Sequence, residues 1–223
     1  MTGSSEAVEN YAKAIYSLQH RTGGDPVATN DLADRLEVTA ASASGMIKKL
    51  ADQGLVEHVP YRGVQLTHDG EQIALEVLRH HRLLELYLAE QLGVPWDRVH
   101  EEAEALEHVI SEDLEARIAA KLGNPTHDPH GDPIPDAELQ IDESATRSLA
   151  DLGPGDRGHF VRVSDADPAM LRYLSARGVT LGDAFEVLDR QPFGGPLTVR
   201  FDDTLQVLGG ALAAAMRVEL DAG

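Results

Sequence analysis

Apolar positions recur every three to four residues along the N-terminal part of the chain, and this spacing predicts three helices. Val8, Tyr11, Ile15 and Leu18 mark the first. Leu32, Ala33 and Leu36 share one face of the second, with Thr29, Asn30 and Asp31 as capping candidates. The third runs from about Ala40 to Gln53, with Met46, Ile47 and Leu50 apolar and Gly54 as its stop. Two β-type runs follow, Leu55–Val59 and Val64–Thr67, joined by a Pro60–Gly63 turn. Helix, short turn, helix and hairpin is the order of a winged helix-turn-helix.

The pattern then changes scale. Ile73, Leu75, Val77, Leu78, Leu83, Leu84, Leu86, Tyr87 and Leu92 line one long amphipathic segment that ends at Gly93. After the Gly93–Val94–Pro95–Trp96 break, a helix is expected from Val99 to about Ile110. Ser111, Glu112 and Asp113 open another that ends near Leu122. NPTHDPHGDPIPDAEL carries Pro125, Pro129, Pro133 and Pro135, so residues 123–153 read as an ordered loop or linker. Beyond Gly153 the runs are short and β-rich: Gly158–Val163, Ala184–Leu188, Leu197–Phe201 and Met216–Leu220. With turn signals between them, they suit a small barrel. The fold class is mainly α with a small β part.

Composition narrows the function. The 223 residues are 42% apolar and 26% charged, which is ordinary for a folded chain. No apolar run approaches the ~20 residues needed to span a bilayer, and MTGSSEAVEN has no basic and apolar leader pattern. There is no cysteine, which excludes disulfides, thiolate catalysis and Cys-ligated metals. The net charge of −19 opposes non-specific nucleic-acid binding by the whole chain. Residues 1–72, however, hold six Lys/Arg against ten Asp/Glu, so most of the acid lies elsewhere.

Within the helix-turn-helix, Thr39, Ala41, Ser42 and Ser44 open the second helix with small and hydroxyl side chains. These permit close approach to a major groove. Lys48 and Lys49 follow on that helix, and Arg62 stands on the wing, placed for phosphate contact. The plainer reading is a capped helix with a solvated face.

A second constellation points to a metal. Glu104, Glu107 and His108 fall at i, i+3 and i+4, on one helical face, and His100 lies one turn earlier. His81 and Glu85 form an i, i+4 pair on the long helix. Carboxylates and imidazoles between apolar rows call for a cation, because buried ionised groups cost several kcal/mol unless compensated (about that size). A donor set of oxygen and imidazole nitrogen suits Mn²⁺ or Fe²⁺ better than Cu⁺. A Glu-rich run is also compatible with an ordinary solvated helix.

These residues, taken together, resemble the diphtheria toxin repressor family, and most of all its manganese-responsive members. The segments that carry the resemblance are VENYAKAIYSL, the winged helix, RHHRLLELYL, VHEEAEALEHVIS, DPHGDPIP and SDADPAMLRYL. The resemblance implies a winged helix-turn-helix over 1–72, a helical metal-binding and dimerisation domain over 73–136, a linker over 137–152 and an SH3-like β-barrel over 153–223. It also implies an activating site at Asn10, Glu104, Glu107 and His108. Iron regulators of the family carry Met where this chain has Asn10 and Cys where it has Glu104, whereas manganese regulators have Asp at the first position. Glu104 therefore favours Mn²⁺, while Asn10 departs from both patterns. An ancillary site would use His81, Glu85, His100 and a barrel carboxylate, Asp165 with Asp167 as the alternative. In some manganese members the loop residues, here Asp128 and His130, take part.

The implied function is that of a cytoplasmic, homodimeric, manganese-activated repressor acting on double-stranded operators of metal-uptake genes, with no membrane partner. An iron-activated repressor of the same family is the near alternative. A helical di-metal carboxylate enzyme is the alternative from another class, disfavoured by the winged helix and by the lack of a nucleophile constellation or Gly-rich phosphate loop. A winged-helix protein indifferent to metal is the third.

Overall fold

The computed structural model describes residues 5–21, 23–142 and 144–221; residues 1–4, part of the stretch read as lacking a leader, lie outside the described residues. The chain forms two compact units. One comprises Met1–His81, Glu104–Glu115 and Pro135–Gln140, and the other Arg82–Ala103, Ala116–Ile134 and Ile141–Gly223. Among the described residues, no helix is long and apolar enough to cross a membrane.

The first unit contains α1 (Glu6–Arg21), α2 (Thr29–Arg35), α3 (Ala40–Asp52), β1 (Val56–Val59) and β2 (Gly63–Leu66). Their apolar faces meet in one core of Val8, Ile15, Leu32, Ile47, Leu50, Val56 and Val64. The start of α3 follows its sequence, since the Thr39 hydroxyl accepts a hydrogen bond from the Ser42 amide at 3.1 Å. The start of α2 does not. Thr29 is already helical, and Ala28 holds the cap position with no side-chain bond, so none of the three expected residues caps it.

The hairpin pairs Val56 with Leu66 through Val59 with Gly63. Tyr61 sits at its tip with φ 63° and is fully exposed. Gly63 has φ 126°, and a Cβ there would lie 2.0 Å from the Val27 carbonyl oxygen. That approach lets Val27 and Val64 exchange both backbone hydrogen bonds, at 2.7 and 3.0 Å. A third extended residue thus borders the wing.

The long helix α4 (His68–Leu92) runs a little longer than its pattern suggests. α5 (Val99–Leu106) is shorter than expected: it ends at Leu106, so Glu107 and His108 lie in the turn before α6 (Glu112–Lys121) rather than on a helical face.

In the second unit, β3 (Arg147–Ser148), β4 (Arg157–Val163), β5 (Ala184–Arg190), β6 (Leu197–Phe201), β7 (Thr204–Leu208) and β8 (Met216–Leu220) form one antiparallel sheet. Its order is β3-β8-β4-β5-β6-β7. The expected barrel is therefore an SH3-like sheet that does not close: β3 and β7 remain edges, and β3 is only two residues long. Two helices not read from the sequence, α7 (Pro168–Ser175) and α8 (Gly210–Ala215), add Leu171, Leu174 and Ala213 to its core. Phe160 and Phe201 meet edge to face at 6.1 Å in that core, and full burial stabilises by roughly 1.5–3 kcal/mol per large apolar side chain. The stretch read as a linker also contributes. Its second half supplies β3 and a 3-10 turn, Leu149–Asp151, and buries Leu149 and Leu152 completely.

Candidate metal centre

In the first unit, α1 faces the segment that follows Ala103. His108 Nε2 lies 2.8 Å from the Asn10 side-chain oxygen and 3.3 Å from a Glu107 carboxylate oxygen. Its Nδ1 lies 2.6 Å from Glu9. Three oxygens thus converge on one mostly buried imidazole. Although Glu107 and His108 sit in a turn, ligand atoms of Glu107, Glu104 and His81 still lie within 4.8 Å of one another. Glu107 is wholly buried, while the Glu104 side chain is 44% exposed.

A cation is already present beside them. The Lys13 ammonium donates to Glu104 at 2.7 Å and to both Glu107 oxygens at 2.9 and 2.7 Å, and it lies 3.3 Å from His81 Nδ1. His81 Nδ1 is in turn 2.5 Å from Glu107. Lys13 compensates two carboxylates that would otherwise be expensive to bring together in a buried place.

The second unit holds another cluster. Glu85 on α4 is buried, and one of its oxygens lies 3.2 Å from His100 Nδ1. Asp165 approaches the same nitrogen at 2.9 Å. The Asp165 hydrogen bond, followed by that to Glu85, pushes the His100 pKa up to about 10 against the opposing effect of burial. The alternative carboxylate, Asp167, is spent on local structure: it caps α7 by accepting from the Ala169 amide at 2.9 Å.

Asp128 and His130 are both buried beside Glu85. Asp128 Oδ1 accepts from the backbone amides of His130 and Asp132, at 2.8 and 2.9 Å, which folds the loop into a tight turn. Gly131 closes that turn at φ 84°, where a Cβ would lie 2.0 Å from the Val161 carbonyl oxygen on β4. Burial first, then the charges of Asp132 and Glu85, raise the Asp128 carboxyl well above the usual range. His130 Nε2 bonds the Trp96 carbonyl at 2.7 Å. Its Nδ1 is buried, without a hydrogen-bond partner among the described residues, 3.6 Å from Glu85. Burial opposes protonation of His130, yet Glu85 and Asp128 lift its pKa to about 9.

These donors fit a divalent ion. An orphaned imidazole nitrogen facing buried carboxylates is costly as it stands and is what a cation satisfies. Glu85, with His100 and Asp165 or with Asp128 and His130, could hold one ion, and Asn10, Glu107 and His108 another, with Glu9 on the far nitrogen of the same ring. In both, the ion's chemistry would be to neutralise and cross-link carboxylates that come from different segments.

On the reader, Thr39, Ala41, Ser42, Ser44, Lys48 and Lys49 are all exposed on or beside α3. Ser44 is turned back, donating to the Ala40 carbonyl at 2.8 Å. Arg62 is exposed but paired with Asp25 at 2.5 Å. Sequence reasoning missed Glu9 and Lys13, which lie beside Asn10 on α1 but are not marked along the chain as partners of His108 and Glu107.

Comparison with known proteins completes the picture. Residues 4–64 match the N-terminal DNA-binding domain of iron-dependent repressors, and residues 67–136 match their metal-binding and dimerisation domain. Residues 147–220 match the FeoA domain. The chain is 37% identical to the iron-dependent repressor of Mycobacterium leprae, over 83% of this chain and 71% of that protein. It is 30% identical to the diphtheria toxin repressor of Corynebacterium efficiens, over 96% and 95% respectively. A solved structure of a manganese-dependent transcriptional repressor in complex with manganese superposes with a TM-score of 0.88 at 45% identity, covering 95% of this chain and 98% of that one. The chain therefore belongs to the diphtheria toxin (iron-dependent) repressor family, a family of metal-dependent, DNA-binding transcriptional repressors and not of enzymes.

Proposed function

We propose that the protein is a manganese-activated repressor that binds double-stranded operators of metal-uptake genes as a cytoplasmic homodimer. The observation that carries this reading is the 2.8 Å contact between Asn10 on α1 and His108 in the turn after α5. Asn10 belongs to the helix that packs directly against the DNA-reading elements, whereas His108, Glu107 and Glu104 belong to the metal-binding segment. An ion held across that contact stabilises whichever placement of α1 closes the chelate. Metal then favours the DNA-competent state by its differential affinity for it.

Mn²⁺ rather than Fe²⁺ is supported by the donors. Glu104 supplies a hard carboxylate, no thiolate exists in the chain, and the neighbour with bound manganese shares nearly half its residues. In this reading Asn10, Glu104, Glu107 and His108 form the activating site. Glu85, His100, Asp165, Asp128 and His130 form the ancillary one, with His81 one turn before Glu85 on α4. Residues 1–72 read DNA through Thr39, Ala41, Ser42, Ser44, Lys48, Lys49 and Arg62; residues 73–136 bind metal and dimerise; 153–223 form the SH3-like part after the 137–152 connection.

The test is a mobility-shift titration of a native upstream DNA fragment with Mn²⁺, Fe²⁺ and Zn²⁺ in turn. Binding that appears at lower free Mn²⁺ than expected from the general affinity order supports the reading. Activation by Fe²⁺ alone would replace it with the iron-responsive alternative.

A further inference from the structure

A third group of possible ligands lies in the first unit, apart from the residues assigned above. Glu76 and His80 stand one turn apart on α4, and Glu112 opens α6. One ligand atom from each lies within 4.8 Å of the others. Two carboxylates brought this close repel one another unless a proton or another cation lies between them.

His80 supplies the independent observation. Only 7% of the residue is exposed. Its Nδ1 bonds the Glu107 carbonyl at 3.1 Å, so Nδ1 carries the hydrogen in the neutral ring and Nε2 presents a lone pair. That Nε2 is buried and, among the described residues, makes no hydrogen bond. It points at acid: Glu115 lies at 3.3 Å and Glu112 at 3.9 Å. Glu115 is already engaged by Arg79 at 2.6 Å.

We propose that Glu76, His80 and Glu112 form a further divalent-cation site, with one imidazole nitrogen, two carboxylates and the remaining positions filled by water. This goes beyond the metal-activated reading, which uses none of the three residues. The mixed donors favour Zn²⁺ over Mn²⁺ by the general affinity order, since nothing in so open a set imposes strict octahedral geometry. An imidazole whose second nitrogen is fixed by a backbone carbonyl is the usual form of a metal-binding histidine. That carbonyl belongs to Glu107, so an ion on His80 would stiffen the turn that carries Glu107 and His108. It would also clamp the first turn of α6 to α4.

Zn²⁺ titrated calorimetrically into the full-length protein, with bound metal counted after dialysis, tests the assignment. Glu112→Gln and Glu76→Gln should each lose one Zn²⁺ per protomer, or bind it at least tenfold more weakly. The Glu112 side chain is 76% exposed, so its replacement leaves the fold intact. His108→Ala, which strikes the activating site instead, should retain this ion. Unchanged stoichiometry and affinity in both glutamine variants would overturn the site, whatever the Mn²⁺ response of the protein.

Discussion

Asn10 and His108 are separated by 98 positions in the chain and by 2.8 Å in space, oxygen to ring nitrogen. Their contact ties the helix that supports the DNA reader to the turn that supplies the metal donors. A neutral amide is the weakest of the oxygens there, and Glu9 stands at 2.6 Å on the other side of the same ring. Replacing Asn10 by Asp adds a negative charge beside the ion and should tighten Mn²⁺ binding by about tenfold, or ~1.4 kcal/mol. Asn10→Ala should weaken it by a similar factor. Calorimetric dissociation constants for the three proteins at one pH decide the matter; three equal values would remove Asn10 from the site.

Lys13 makes a different prediction. Its ammonium compensates Glu104 and the buried Glu107, so Lys13→Ala should destabilise the metal-free protein by about 1–3 kcal/mol. Added Mn²⁺ should restore more stability to the variant than to the wild type, because the ion then takes over the compensation. Thermal melts with chelator and with Mn²⁺ measure both. Equal melting temperatures in chelator would show that Lys13 contributes no compensation.

Glu104 tests metal preference. Its side chain is partly exposed and hydrogen-bonded to Lys13, so Glu104→Cys can be made without opening the core. A thiolate there should shift preference from Mn²⁺ toward Fe²⁺, Co²⁺ and Zn²⁺. Cobalt titration should show a thiolate-to-metal absorption band in the variant alone. A variant that binds Co²⁺ without that band places residue 104 outside the coordination sphere.

Arg62 tests the wing. DNA binding requires it to trade Asp25 for a phosphate, an exchange between exposed charges. Arg62→Ala should weaken binding to all sequences alike and lower the slope of log affinity against log salt by about 1. A loss confined to the operator, with an unchanged slope, would mean that Arg62 reads bases.

Gly131 tests the ancillary cluster through the backbone. With φ 84° and Val161 oxygen where a Cβ would go, Gly131→Ala should cost more than the ~1 kcal/mol of conformational strain alone. The same change should displace Asp128 and His130 and weaken the second unit's ion, while the response at Asn10 and His108 persists. Metal counting beside a urea melt separates the two effects.

What the linear pattern determined by itself is local. Apolar spacing placed α3 and the hairpin within a residue or two and found α1 and α4 with shorter bounds than they have, because one buried stripe per helix and one buried face per strand are properties of short segments. Donor types were equally legible: without cysteine, only carboxylate, amide and imidazole could meet an ion. Tertiary structure decided the rest. Spacing at i, i+3 and i+4 put Glu104, Glu107 and His108 on one helical face, but α5 stops at Leu106, and packing buries Glu107 while Glu104 stays partly exposed, the two meeting at Lys13. The capping of α7 by Asp167, and with it the freeing of Asp165 for His100, depends on which carboxylate the backbone amide of Ala169 reaches. Lys13 shows no sign along the chain of being a cation for Glu107, because that pairing exists only once α1 packs beside residues more than ninety positions away. Hydrophobic periodicity reports what each segment buries. Which charges meet is set by packing, where desolvation makes every unpaired group expensive and so selects the partners.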